Sequence, residues 1–167
     1  MPKPYSFLAI TIFVILIILF CYVLINRNSP EYYQVVKVVD GDTIDVKMND
    51  TIARVRLIGI DTPELVDPRQ PVECFALAAS NKAKEILTNK SVHLEADITQ
   101  GDRDKYDRLL RYVFLPDGTN FNQLMIEQGY ANEYTYELPY VYQADFQQAE
   151  KSAQTNGLGL WAPGVCE

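Results

Sequence analysis

Three short runs in this chain carry side chains able to handle a phosphate or a cation. They are Asp40-Gly41-Asp42-Thr43, then Arg56 followed, after four intervening residues, by Asp61-Thr62-Pro63-Glu64, then Asp104-Lys105-Tyr106-Asp107-Arg108. Arginine's planar fork can grip two phosphate oxygens at once. Carboxylates can hold a hard cation or accept a proton. Each run also has a plainer reading. Asp-Gly-Asp is an ordinary hairpin turn, Asp-Thr-Pro-Glu a capped strand end, and the third run a solvated loop. The single histidine, His93, lies in an alternating pattern that suits a surface residue. One histidine excludes a ribonuclease that pairs two. There is no Gly-x-x-x-x-Gly-Lys phosphate loop and no Cys-x-x-Cys pattern. Hydrolysis here would rest on carboxylates and arginines, with or without a metal.

The elements that must position these runs can be read from periodicity. Residues 32–39 are rich in Tyr and Val. Ile44, Val46 and Met48 alternate with polar neighbours, and 53–60 alternate Arg54 and Arg56 with Val55 and Leu57. Period two predicts half-buried strands, with turns at Asp40-Gly41-Asp42 and Asn49-Asp50. Phe75, Ala79, Ala83 and Ile86 recur at helical spacing and predict a helix over roughly 72–89. Val92, Leu94 and Ala96 alternate again, as do Leu110, Tyr112 and Phe114. Asn120 and Gln123 resemble a capping box before a short helix closed by Gly129. Tyr142, Phe146, Ala149 and Ala153 line one face of a last helix, ended by Gly157. Three strands, a helix, two strands and two helices fit an α+β, mainly β chain. The expected architecture is a five-stranded Greek-key barrel of the OB type with about three helices.

The first thirty residues are of another kind. From Phe7 to Ile25 there is no charged residue. A helix of that length spans roughly 28 Å, near the thickness of a bilayer's hydrocarbon core. A buried core helix would show a polar face, which this run lacks. A cleaved signal peptide is the stronger rival. Its apolar run is usually shorter, and no Ala-x-Ala site follows here. Nor does a small residue precede Cys21, as a lipoprotein signal would need. The expectation is an uncleaved, single-pass anchor with its linker over 1–30 and a domain over 31–167. Lys3 lies before the run and Arg27 after it, a slight bias for the N-terminus inside. The domain would then face the non-cytoplasmic side of a cell membrane.

All 22 acidic residues but 13 of the 15 basic ones lie beyond residue 30, a formal charge of −9 there. That excludes tight nonspecific binding of a polyanion by charge alone. It weighs less against an enzyme that meets phosphate through a cation. Cys74 and Cys166 are the two cysteines beyond the apolar run. An even count permits one disulfide outside the cytoplasm, which we expect; two separate buried thiols are the alternative.

The three runs, in this order and at these intervals, resemble the staphylococcal nuclease (thermonuclease) family. Its patterns are Asp-Gly-Asp-Thr, Arg-x-x-x-x-Asp-Thr-Pro-Glu and Asp-Lys-Tyr-Gly-Arg. Gly129 at a helix end and Gly159-Leu160-Trp161 add to the likeness, which covers nearly all of 32–161. The resemblance implies a Ca²⁺-dependent, sugar-nonspecific nuclease that cuts DNA and RNA to 3′-phosphate products. It implies Asp42, Asp61 and the Thr62 carbonyl as metal ligands, and Glu64 as general base or water positioner. Arg56 and Arg108 would bind phosphate, and Tyr106 would lie near the 5′ phosphate. Single-stranded substrates and a monomer are expected.

Two features depart from the family. Asp107 stands where it usually has glycine. Its tyrosine pair for the substrate base has no clean match, so Tyr134 and Tyr136, displaced by about one position, are the candidates. Two other classes stay open. One is a catalytically inactive nucleic-acid-binding module on the same fold, tethered to a membrane. The other is a membrane-anchored interaction scaffold. Presence of Asp42, Arg56, Asp61, Glu64 and Arg108 together favours the enzyme.

Overall fold

The computed structural model describes residues 5–27, 30–65 and 71–166, with the side chains of 10–20 and 22 on the first helix. The chain divides into two compact units, Met1–Glu31 and Tyr32–Glu167. The first holds helix α1, Tyr5–Arg27, whose described apolar side chains are exposed. Among the described residues no helix is long and apolar enough to cross a membrane. The side chains described on α1 cover less than the ~20 residues a span requires. The expected anchor over 7–25 thus lies partly outside the described residues.

The second unit is built on β1 (Tyr32–Val38), β2 (Thr43–Met48), β3 (Thr51–Leu57), β4 (Ile60–Asp61), β5 (Ser91–Glu95), β6 (Leu109–Phe114) and β7 (Asn132–Glu133). Helices α2 (Ala76–Leu87), α3 (Phe121–Glu127) and α4 (Gln143–Thr155) and a 3₁₀ turn, Gly159–Trp161, complete it. Five strands close into a barrel in the order β1-β2-β3-β6-β5, and β4 and β7 form a separate two-stranded piece. β3 and β6 run parallel, while β1 pairs antiparallel with both β2 and β5. This is the expected Greek-key order of an OB-type barrel.

Alternation explains which side chains face in. Ile44 and Val46 of β2 and Val55 and Leu57 of β3 are buried together with Val35, Val92, Tyr112 and Val113. Asp45 sits between inward neighbours on β2 and is buried too. Arg54, directly opposite on β3, meets both of its oxygens, at 2.8 and 3.1 Å. Helices α3 and α4 pack on each other, and Phe121, Met125, Phe146 and Ala149 are buried in the core. The Phe146 ring lies 5.5 Å from Tyr140 and 6.2 Å from Tyr112. Burying such a ring contributes roughly 1.5–3 kcal/mol.

Two local expectations need correction. The strand expected to run to Ile60 stops at Leu57, because Gly59 takes a left-handed φ of 77°. The turn is fixed from behind. Ile58 N–H donates to the Arg111 carbonyl at 3.0 Å, and the buried Asn122 amide donates to the Ile58 carbonyl at 2.9 Å. The chain thereby leaves the barrel and lays Asp61 beside Asn132 of β7, a strand the periodicity did not suggest. The helix expected from about residue 72 starts at Ala76. Phe75 has φ 68°, outside helical space, and Cys74 is bonded to Cys166. The bridge has a Cα–Cα distance of 5.7 Å and joins the C-terminal tail to the start of α2.

Candidate active site

The site grows from the β1–β2 turn and the exit of β3, which are adjacent at one end of the barrel. Leu57 N–H donates to the Asp42 carbonyl at 2.9 Å, so the turn and the strand end are joined along the backbone. The buried Asp42 carboxylate binds them again through its side chain. Its Oδ2 accepts from Thr62 N–H at 3.0 Å and Thr62 Oγ1–H at 3.2 Å, and its Oδ1 from the Thr43 hydroxyl at 2.9 Å. Arg56 projects from β3 into this cluster and is itself largely buried. Its guanidinium stands 3.1 Å from Asp42 Oδ2 and donates to Asp61 Oδ1 at 2.8 Å and to the Ile60 carbonyl at 2.9 Å. One guanidinium thus fixes both carboxylates and the backbone between them.

Gly41 is required by this closeness rather than by its own backbone angle. A Cβ there would lie 2.6 Å from Thr62 Cγ2, well inside van der Waals contact. Any larger residue would push Thr62 off Asp42.

Burial is the main influence on ionisation here. It pushes Asp40 up to about 7, helped by the charge of Asp42. Burial also raises Asp61, against the pull of Arg56. Asp40 was not singled out from the sequence as a site residue. Its place two residues before Asp42, with Oδ1 accepting the Asp42 N–H at 3.1 Å, is the signal that could have found it.

Arg108 comes from the loop before β6. Its Nε donates to Asp104 Oδ2 at 2.6 Å, and its guanidinium lies 5.4 Å from the Tyr106 ring centre. Asp104 also accepts the N–H groups of Tyr106 and Arg108, at 2.9 and 3.0 Å. Burial works against its charge, but these donors prevail and hold it below the usual carboxylate range. Asp107 has φ 65°, which explains why a glycine is at home in this position. Its carboxylate faces Arg103, at 3.3 Å, and that arginine also donates to the Asp107 carbonyl at 2.7 Å. The residue therefore pairs with Arg103, not with the arginine that follows it.

A cleft of about 590 Å³ brings these parts together, lined among others by Arg56, Asp61, Tyr106, Arg108, Tyr134 and Tyr136. The rings of Tyr134 and Tyr136 are 6.4 Å apart, and Tyr136 and Tyr106 are largely exposed. Asp42, Thr62 and Glu64 are not part of that lining. Asp42 and Thr62 are buried, while Glu64 is exposed on the turn after Pro63. Among the described residues no group of three or more His, Cys, Asp or Glu is gathered as a metal site. Asp42 and Asp61 both meet Arg56, Asp40 accepts the Asp42 N–H, and every acceptor in this set is oxygen. Such a set fits a hard cation such as Ca²⁺, which accepts carbonyls and water to complete its shell, and not a soft metal.

Comparison with known proteins agrees with the geometry. Residues 54–163 match the family model described as "Staphylococcal nuclease homologue". A thermonuclease from Staphylococcus intermedius is 39% identical over 162 residues, covering 91% of this chain and 95% of its own. A thermonuclease from Staphylococcus hyicus is 39% identical over 138 residues, covering 83% of this chain and 80% of its own. A micrococcal nuclease from Shigella flexneri is 34% identical over 139 residues, covering 77% and 72%. Arg56, Asp61, Glu64 and Arg108 all fall inside the matched segment, and the chain belongs to the staphylococcal nuclease family.

Proposed function

We propose that this protein is a calcium-dependent nuclease that hydrolyses phosphodiester bonds of DNA and RNA to 3′-phosphate products. Family membership supports the coarser part, a nuclease and so a phosphodiester hydrolase. The observation that carries the reading further is the convergence of Arg56, Asp61 and Arg108, from two separate runs, on one cleft beside Tyr106.

The residues divide the work in a way their chemistry allows. Arg56 and Arg108 bind the equatorial phosphoryl oxygens and neutralise charge as it builds in the transition state. Both arrive already oriented, by Asp61 and Asp104. A Glu64 carboxylate oxygen takes the proton of the attacking water. The new bond forms between that water oxygen and phosphorus, the bond to the 5′ oxygen breaks, and that oxygen takes a proton from solvent. The products are a 3′ phosphate and a 5′ hydroxyl. Tyr106 packs beside the phosphate, and Tyr134 and Tyr136 offer stacking faces for a base. Asp42, Asp61 and the Thr62 carbonyl would hold Ca²⁺, with Asp40 behind them. When bound, the ion withdraws charge from a phosphoryl oxygen. This local field offsets the negative charge of the rest of the unit.

Degradation of single-stranded DNA and RNA, followed with calcium and with excess chelator, tests the reading. Chelation is expected to lower the rate at least tenfold, and Mg²⁺ to restore it less well than Ca²⁺, since it demands regular octahedral geometry. Undiminished cleavage in chelator would remove the metal from the mechanism. Binding without cleavage under all conditions would favour the inactive module instead.

We further propose a monomer tethered through the N-terminal segment, with residues 31–167 outside the cytoplasm. The uncharged run of 7–25 and the Cys74–Cys166 disulfide, a bond that persists in oxidising compartments, support this. Protease added to intact spheroplasts is expected to remove the nuclease unit. Full protection until the membrane is lysed would overturn the orientation.

A further inference from the structure

Glu64 is tied to a residue nine positions along the chain. Its N–H donates to Glu73 Oε2 at 2.9 Å, and its carbonyl accepts the Glu73 N–H at 3.1 Å. Glu73 is followed at once by Cys74, bonded to Cys166. Phe75 comes next, in left-handed backbone and with its ring 5.5 Å from that of Tyr130. The other end of the bridge is anchored too. Leu160 N–H donates to the Gly129 carbonyl at 2.8 Å, and the two backbones approach so closely that a Cβ on Gly129 would lie 2.1 Å from the Leu158 carbonyl oxygen. A continuous path therefore runs from the end of α3 through the tail, the disulfide and Glu73 to the turn that bears Glu64.

An exposed carboxylate that caps one N–H contributes little by itself, because water competes for both partners. It holds a turn firmly when its own backbone is already held. The disulfide meets that condition at the neighbouring residue. We propose that Glu73 is a positioning residue for Glu64, and that the Cys74–Cys166 bridge holds Glu73 in register, so that the redox state of the bridge sets the rate of cleavage. The inference rests on Glu64 acting as the base. Its magnitude follows from geometry, since a displacement of about 1 Å at a reacting group can cost as much as ~10²-fold in rate. Reduction by a dithiol cleaves the S–S bond with two electrons and two protons. It leaves a thiol on each cysteine and converts the reagent to its own cyclic disulfide. Phosphodiester chemistry is untouched by that exchange, so any change in rate reports the positioning.

The experiment measures kcat and KM on single-stranded DNA with calcium, for the oxidised full chain, the same chain reduced by dithiol, and the variants Glu73→Ala, Glu73→Gln and Cys74→Ser/Cys166→Ser. Glu64→Gln runs alongside, and every rate is taken well below the thermal midpoint of its own protein. Glu73→Ala and the double serine variant are each expected to lower kcat by about tenfold with KM within about twofold. Glu73→Gln keeps an oxygen acceptor for the Glu64 N–H and is expected to recover most of the rate. Combining Glu73→Ala with the serine changes is expected to add little, because both act through one path. Reduction is expected to reproduce the serine loss, and reoxidation to reverse it. The proposal is overturned if Glu64→Gln is slow while Glu73→Ala turns over like the parent, or if the loss lies wholly in KM. It is also overturned if reduction of a chain that stays folded by circular dichroism leaves kcat unchanged. Parent-like cleavage by Glu64→Gln strikes the base assignment first, and the Glu73 proposal falls with it.

Discussion

Glu64→Gln is expected to lower kcat by roughly 10²-fold or more while leaving the thermal midpoint and oligonucleotide affinity near those of the parent. The substitution keeps size and polarity and removes the proton acceptor, and a general base contributes about 10²–10⁴-fold. Its backbone bonds to Glu73 do not involve the side chain that changes, so the turn is expected to survive. Stability is expected to hold because Glu64 is exposed and such changes stay within about ±0.5 kcal/mol. Affinity is expected to hold because Arg56 and Arg108, the groups that meet phosphate, keep their partners Asp61 and Asp104. Cleavage, unfolding and oligonucleotide binding are measured on both proteins with calcium present. A variant that cleaves as fast as the parent would show that another group takes the proton. A variant that loses affinity in proportion to rate would make Glu64 a binding residue instead.

Much of the barrel was readable because period-two alternation is a direct record of which side faces the core. Val35, Val46, Val55 and Val92 follow from it. What was not readable are the places where a tertiary partner overrides the local pattern. In Leu57-Ile58-Gly59-Ile60 only Gly59 marks where the strand could break, and it does not say that it must. The break is set by Asn122 and Arg111, far along the chain. Asn122 itself reads as a polar residue on a short helix, yet it is fully buried and satisfied on both ends of its amide, to Ile58 and Val113. The site divides in the same way. Arg56, Asp61 and Arg108 were visible as residue types at telling intervals. The groups that aim them, Asp104 for Arg108 and Thr62 for Asp42, became visible only once the turns were folded together. Tyr134 and Tyr136 came from the family resemblance, displaced by about one position, and both line the cleft with Tyr106.

Replacing Cys74 and Cys166 together by serine is expected to cost the nuclease unit a large part of its stability. The bridge closes a separation of 92 residues. In the chain-entropy model a loop of that size restrains the unfolded state by roughly 4–5 kcal/mol, within a usual range of about 2–5 for native bridges. Both cysteines are exposed, so serine buries no unsatisfied hydroxyl, and the loss reflects the missing link itself. For a unit of this size that corresponds to a fall in Tm on the order of 10 °C. The barrel is expected to remain folded at 25 °C, because both cysteines are exposed and outside its buried core of Val, Ile and aromatic residues, and the tail is also held at Gly129. Thermal and urea unfolding of the parent and the double variant, both under nonreducing conditions, measure the difference. An m-value that rises with loss of the bridge would place the effect in a more expanded unfolded chain, as the entropy model requires. A midpoint within about 2 °C of the parent would mean that the unfolded chain gains little freedom when the link is lost, and that the bridge matters for the position of Glu73 rather than for the stability of the fold.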